Sequence, residues 1–201
     1  MDGFEMTRQL QGLEATNHIP VVLLTSKALQ EDKMEGLESG AEAYLNKPFQ
    51  KAELLLRLEK LIAKRRLLQS KYRVTDLLEP KKALTQKLPD KNRIFLEKAI
   101  SLIEKELENP EFTPSRLAQE LALSDSQLYR KLKAITNTST ALFMRGVRLE
   151  KAKGLLLTTD KTISEIAYET GFTDPNWFGK AFKEQFETTP SVFRKSSNNG
   201  V

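Results

Sequence analysis

Two stretches of this chain carry the same residue spacing fifty positions apart, and that repeat restricts the possible folds more than any other feature. Ser124, Leu128, Arg130 and Leu132 correspond to Asp174, Phe178, Lys180 and Phe182 at a constant offset of 50. Just upstream, Leu117-Ala118 correspond to Ile166-Ala167 at 49, so the second turn is longer by one residue. Phe178, Phe182 and Phe186 recur at i, i+4 and i+8, which puts three rings on one helical face. The short helix pattern before them breaks at Gly171, and a new helix opens at Asp174-Pro175. A short helix, a tight turn and a second helix with a polar outer side form a helix-turn-helix. That unit offers its second helix to a DNA major groove.

The segments around the repeat predict further helices. Phe95, Ala99, Leu102, Ile103 and Leu107 make one apolar stripe. Thr113-Pro114 sets a capping hydroxyl ahead of a proline at the first helical position. Ser124-x-x-Gln127 and Thr162-x-x-Glu165 have the spacing of capping boxes. Leu142–Leu157, with Phe143, Val147 and Leu155, predicts one long helix joining the two units.

The first sixty residues read differently. Ile19–Thr25 is a short apolar run, as expected of a strand covered on both faces. Glu31–Ser39 reads as a helix ended by Gly40, Ala43–Leu45 as a brief strand, and Lys47-Pro48-Phe49 as a turn. An amphipathic helix follows from Gln50 through Leu54, Leu55, Leu58, Leu61 and Ile62. Alternation of strands and helices argues for a parallel α/β piece. Two short strands are too few to close such a sheet, so the piece reads as incomplete. The expected fold class is therefore mainly α: a truncated α/β half, then an all-α domain with two helix-turn-helix units joined by a long helix.

Charge follows the same division. Residues 1–63 hold 7 basic and 10 acidic side chains, residues 64–88 hold 8 and 2, and residues 112–201 hold 13 and 9. A basic middle and a basic C-terminal region suit a polyanionic partner. With no cysteine and a single histidine, His18, thiolate and multi-histidine metal sites are excluded. The longest apolar run, Val21–Leu24, is too short to span a bilayer, and Met1-Asp2-Gly3 lacks the opening of a signal peptide. The expected location is cytoplasmic. The expected layout is an incomplete α/β part over 1–63, a basic linker over 64–89 with Pro80 and Pro89, a helical domain over 90–195, and a disordered tail over 196–201.

Four motifs in the helical part are Arg148-Leu149-x-x-Ala152, Ile166-Ala167-x-x-x-Gly171-Phe172, Phe178-x-x-x-Phe182-Lys183 and Thr189-Pro190-x-x-x-Phe193-Arg194. In this order they resemble the DNA-binding domain of AraC-type transcriptional regulators, over about residues 90–195. The chain departs from that family at Asn137 and Glu187, where glycine is usual. Asparagine tolerates a left-handed backbone as a helix stop, while glutamate there costs about 1 kcal/mol.

The resemblance implies a transcription regulator that reads two successive major-groove segments of duplex DNA, roughly 34 Å apart. Ser126, Gln127, Arg130, Asn176, Gly179 and Lys180 are the implied base-reading positions. Arginine grips guanine through two donors and asparagine pairs with adenine. Gly179 clears room for close approach. Lys131, Lys133 and Lys183 are the implied phosphate contacts, which set register rather than sequence. Tyr129 and Trp177 divide evenly between DNA contact and a structural role, and Arg148 is expected to pair with a carboxylate.

The first segment resembles the C-terminal half of a two-component receiver domain, which implies a truncated flavodoxin-like fold. Met1-Asp2-Gly3-Phe4-Glu5 is similar to the stretch after the phosphoacceptor loop. Thr25 matches the switch hydroxyl, Tyr44 the switch aromatic, and Lys47 the phosphate-stabilising lysine, whose bond to the following proline is often cis. The phosphoacceptor and the acidic ligands of the receiver's magnesium have no counterpart in this chain, so no cofactor is expected. Such a layout is similar to the output end of a phosphorelay response regulator, or to the tail of a hybrid sensor histidine kinase. No nucleotide-binding glycine loop or phosphorylatable histidine motif is present, and the chain is not expected to be an enzyme. A helical interaction module without DNA binding fits poorly with Arg130, Lys180 and Lys183 on expected outer faces. Double-stranded DNA is the expected partner, and the resemblance leaves room for a homodimer and for RNA polymerase.

Overall fold

The computed structural model describes residues 2–26, 38–72 and 91–198. Its elements in chain order are α1 (Gly3–Gly12), β1 (Val22–Thr25), β2 (Ala43–Asn46), α2 (Lys51–Lys71), α3 (Lys91–Lys105), α4 (Pro114–Glu120), α5 (Asp125–Thr136), α6 (Thr140–Thr158), α7 (Ile163–Glu169), α8 (Pro175–Phe186) and α9 (Pro190–Asn198). They group into two compact units. One holds the described part of residues 1–72 together with 126–137, and the other holds the remainder.

In the first unit, β1 and β2 pair in parallel, with Val22 opposite Ala43 and Thr25 opposite Asn46. Ala43, Tyr44 and Leu45 are all buried, in keeping with a strand covered on both faces. Helix α1 was not foreseen from the sequence. It starts because the Asp2 carboxylate accepts from the Glu5 backbone N–H at 2.8 Å, and it buries Phe4 and Thr7. The helix expected over Glu31–Ser39 lies largely outside the described residues. Helix α2 runs to Lys71, eight residues into the stretch read as linker. Lys64 to Lys71 contains neither glycine nor proline, so nothing in it stops a helix. The rest of that linker lies outside the described residues.

The second unit is all helical. Thr113 caps α4 by accepting from the Arg116 N–H, with Pro114 at the first turn. Thr162 and Glu165 form the reciprocal capping box of α7, as their spacing predicts. The core joins Leu149, Ala152 and Leu156 of α6, Ile166 and Ala167 of α7, Phe172, and Phe178, Ala181 and Phe182 of α8. Phe172 meets Phe178 edge-on at 5.2 Å, and Phe182 contacts Phe186 at 4.5 Å and Phe193 at 5.8 Å. Such aromatic contacts add about 0.5–1.5 kcal/mol each beyond burial. The tail expected to be disordered from 196 begins as helix, because α9 continues through Asn198.

The one-residue difference between the two repeats can be placed. Leu123 N–H donates to Ala118 O, and Phe172 N–H donates to Ala167 O, five residues back in each case. The left-handed turn residues are Ala122 (φ 55°) and Gly171 (φ 76°), still 49 apart. The following helices open at Asp125 and Pro175, now 50 apart. The additional residue therefore lies between Phe172 and the start of α8.

Candidate nucleic-acid interface

On α8, the aromatic face decides what is left outside. Phe178, Ala181 and Phe182 are fully buried, while Asn176, Trp177, Lys180 and Lys183 are exposed. Asn176, Lys180 and Lys183 stand at i, i+4 and i+7, so one amide and two ammonium groups line a single outward stripe. The helix begins where the Asp174 carboxylate accepts from the Asn176 N–H at 2.8 Å. It stops at Glu187, which adopts φ 59° as the left-handed cap. Asn137 does the same at φ 61°. Gly179 lies beside the stripe, and a methyl group placed on it meets no atom within 4 Å. Its lack of a side chain therefore serves no packing need inside this unit.

Trp177 is half exposed beneath the Arg145 guanidinium, 5.9 Å from the ring centre. Arg145 also pairs with Glu184 at 3.1 Å. This brace from α6 onto one face of α8, at two points about two turns apart, was missed in the sequence, because no regular spacing links Arg145 to residues 32 and 39 positions away. Arg148 differs from expectation. Among the described residues it bonds no carboxylate, but donates to Asn109 O at 3.0 Å and Gly171 O at 3.4 Å, with Nε buried and unpartnered. Burial lowers the pKa of this guanidinium. Gly171 must be glycine there, since a Cβ would lie 2.5 Å from Leu107 O. Arg194 is structural as well: it donates to Leu156 O and Lys161 O near the end of α6.

On α5, Leu128, Leu132 and Ile135 are buried and Ser126, Tyr129, Arg130 and Lys133 are exposed, while Gln127 is half buried. Arg130 folds back so that Nε donates to Ser126 O at 3.1 Å, and Lys133 Nζ donates to Asn137 O at 3.0 Å. The expectation for Lys131 needs correction. Its side chain is fully enclosed, with Nζ donating to Glu14 O at 2.7 Å, Glu14 Oε1 at 2.6 Å and Asn17 Oδ1 at 2.6 Å. It is not presented to a phosphate. The physical reason is helical phase: Lys131 follows Leu128 by three and precedes Ile135 by four, on the buried side.

At the other end of the first unit, Lys47 N–H donates to Thr25 O at 2.6 Å, joining two of the receiver-like positions at the C-terminal ends of the parallel strands. Tyr44 is buried, Lys47 is exposed, and the Lys47–Pro48 bond is cis. Among the described residues no three His, Asp or Glu side chains come together as a metal ion requires. Also among the described residues, no helix is long and apolar enough to cross a membrane.

Comparison with known proteins matches these two parts. Residues 117–196 match the family model of a helix-turn-helix domain, and residues 1–59 that of a response regulator receiver domain. Histidine kinase P4 of Formosa agariphila is 36% identical over 194 residues, covering 96% of this chain and 14% of that protein. The HTH-type transcriptional regulator MtrA of Neisseria gonorrhoeae is 33% identical over 96 residues, covering 47% of this chain and 32% of that protein. The chain thus spans well under half the length of either relative. An AraC-type regulator structure from Chromobacterium violaceum superposes with a TM-score of 0.50 at 28% identity, over 54% of this chain and 96% of that one.

Proposed function

We propose that this chain, which joins receiver sequence at residues 1–59 to an AraC-type helix-turn-helix domain at 117–196, is the DNA-reading output end of a two-component regulator. The observation that carries the reading is α8: a fully buried Phe178–Phe182 side opposite an exposed Asn176–Lys180–Lys183 stripe. An α-helix of this kind fits the major groove, where Asn176 matches an adenine edge and Lys180 a guanine edge. Lys183 then serves a phosphate, as does Lys133 on α5, while Ser126, Gln127 and Arg130 supply a second reading surface. Trp177, held by Arg145, borders the stripe and braces it. In an intact receiver Thr25, Tyr44 and Lys47 take the switch roles, which lie outside the reading of DNA.

A second reading concerns the whole polypeptide. Similarity to Histidine kinase P4 over nearly all of this chain favours a hybrid sensor kinase as the parent, with its enzyme domains elsewhere. An antiserum raised against residues 91–198 then detects a native polypeptide far longer than 201 residues. A native band matching the present chain excludes that parent. For DNA binding itself the test is selection from randomised duplexes with sequencing. An enriched site supports the reading, and a pool that stays random after repeated rounds contradicts it.

A further inference from the structure

Lys131 is the largest fully buried side chain of the described protein that carries a charge, and it sits on the helix proposed to read DNA. A buried ammonium persists only where its protons are matched by acceptors. Here all three are: two oxygens of Glu14 and one of Asn17, each within 2.7 Å. Both partners come from the loop after α1, in the receiver-like part of the same unit. A second tie lies one turn further on. Gln69 Nε2, near the end of α2, donates to Lys133 O at 3.2 Å and Ala134 O at 3.1 Å. The loop is itself fixed to α2, because Arg65 donates to His18 O at 3.2 Å.

Resting on the DNA-binding reading above, we propose that the 14–17 loop is a clamp by which the receiver segment holds the first reading helix, α5, and lowers its affinity for DNA. Two features give the sign. The clamp withdraws one positive charge from the helix, and it sets the half-exposed Glu14 carboxylate beside a surface meant for phosphates. The Gln69 bonds also hold the last turn of α5 by its own carbonyls, so a shift of α2 moves the helix. Receiver and reader are then coupled through hydrogen bonds that have two states, made or broken.

The test uses the full chain with Glu14→Ala/Asn17→Ala, which leaves Lys131 Nζ with one of its three acceptors. Both residues lie in a loop, and circular dichroism checks that the helices persist. Hydrogen exchange of residues 126–137 is expected to accelerate in the variant, and binding to the selected duplex to tighten by about 3- to 10-fold, the scale of one partly screened charged hydrogen bond. Lys131→Met alone is expected to tighten binding too, and the triple variant to gain nothing more. Unchanged exchange overturns the clamp whatever the DNA result. Unchanged or weaker binding by the loop variant overturns its inhibitory sign. Weaker binding by Lys131→Met returns that lysine to the phosphate contacts and overturns the proposal. Failure of the parent to bind any duplex counts against the DNA reading alone, while the exchange comparison still decides the clamp.

Discussion

His18 shows how a single side chain reports its surroundings. Its pKa is lowered to about 4, first by burial and then by the nearby charges of Lys131, Arg65 and Arg130, with Glu14 opposing them. Its Nδ1 is buried without a partner. The folded state therefore stays neutral where the unfolded chain, titrating near 6.5, takes up a proton. Stability conferred by the neutral imidazole is fully present above pH 6.5 and is lost progressively as pH falls toward 4. Denaturation midpoints at pH 7.5 and 5.5 test this: the parent is expected to lose stability that His18→Gln retains, and equal losses would remove the argument. Gly179 offers a second residue-level test, because its added methyl group meets open space. Gly179→Ala is expected to raise helix stability by roughly 0.5–1 kcal/mol. It is also expected to weaken binding to the selected duplex, since the backbone there no longer approaches bases. A stabilised variant with unchanged binding would place the DNA elsewhere.

The helices of the second unit stand or fall by their ends. Thr162 accepts from the Glu165 N–H while Glu165 accepts from the Thr162 N–H and hydroxyl, and these bonds hold the Glu165 pKa below its usual range. Thr162→Ala is expected to cost about 1 kcal/mol, read as a lower thermal midpoint of the helical unit. Such caps are local in sequence, which is why α4, α7 and α8 were legible: hydroxyl, proline and carboxylate stand within four residues of one another. The aromatic face of α8 was legible for the same reason, since its period is that of the helix. Four features were not. Helix α1 follows no apolar stripe, being started by one aspartate. The Arg145–Trp177–Glu184 brace joins separate helices. Arg148 met carbonyls where a carboxylate was expected, because the chain brings Asn109 and Gly171 to it from 39 residues upstream and 23 downstream. Lys131 was assigned by its charge, although its phase on α5 placed it among Leu128 and Ile135. Periodicity carried the elements, and residue type misled wherever a charged group was enclosed.

At the scale of the whole chain, the charge asymmetry accords with one part for signalling and one for polyanion contact. An acidic excess lies in residues 1–63 and, more weakly, in 89–111, and the basic excess in 64–88 and 112–201. Phosphate contacts release counterions, so replacing Lys183 by alanine is expected to weaken all duplexes alike and flatten the salt dependence. Asn176 and Lys180 on the same stripe predict something different, a loss confined to particular bases. The most direct measurement is therefore the affinity of the parent, Asn176→Ala and Lys180→Ala for the selected duplex and for each single-base variant of it, at fixed moderate salt. The account predicts a parent that prefers the selected duplex by at least about a thousandfold over scrambled DNA. Each variant is expected to lose about 1–3 kcal/mol and its discrimination at one position only. A parent that binds selected and scrambled duplexes equally, or variants that keep the full base preference, would contradict it.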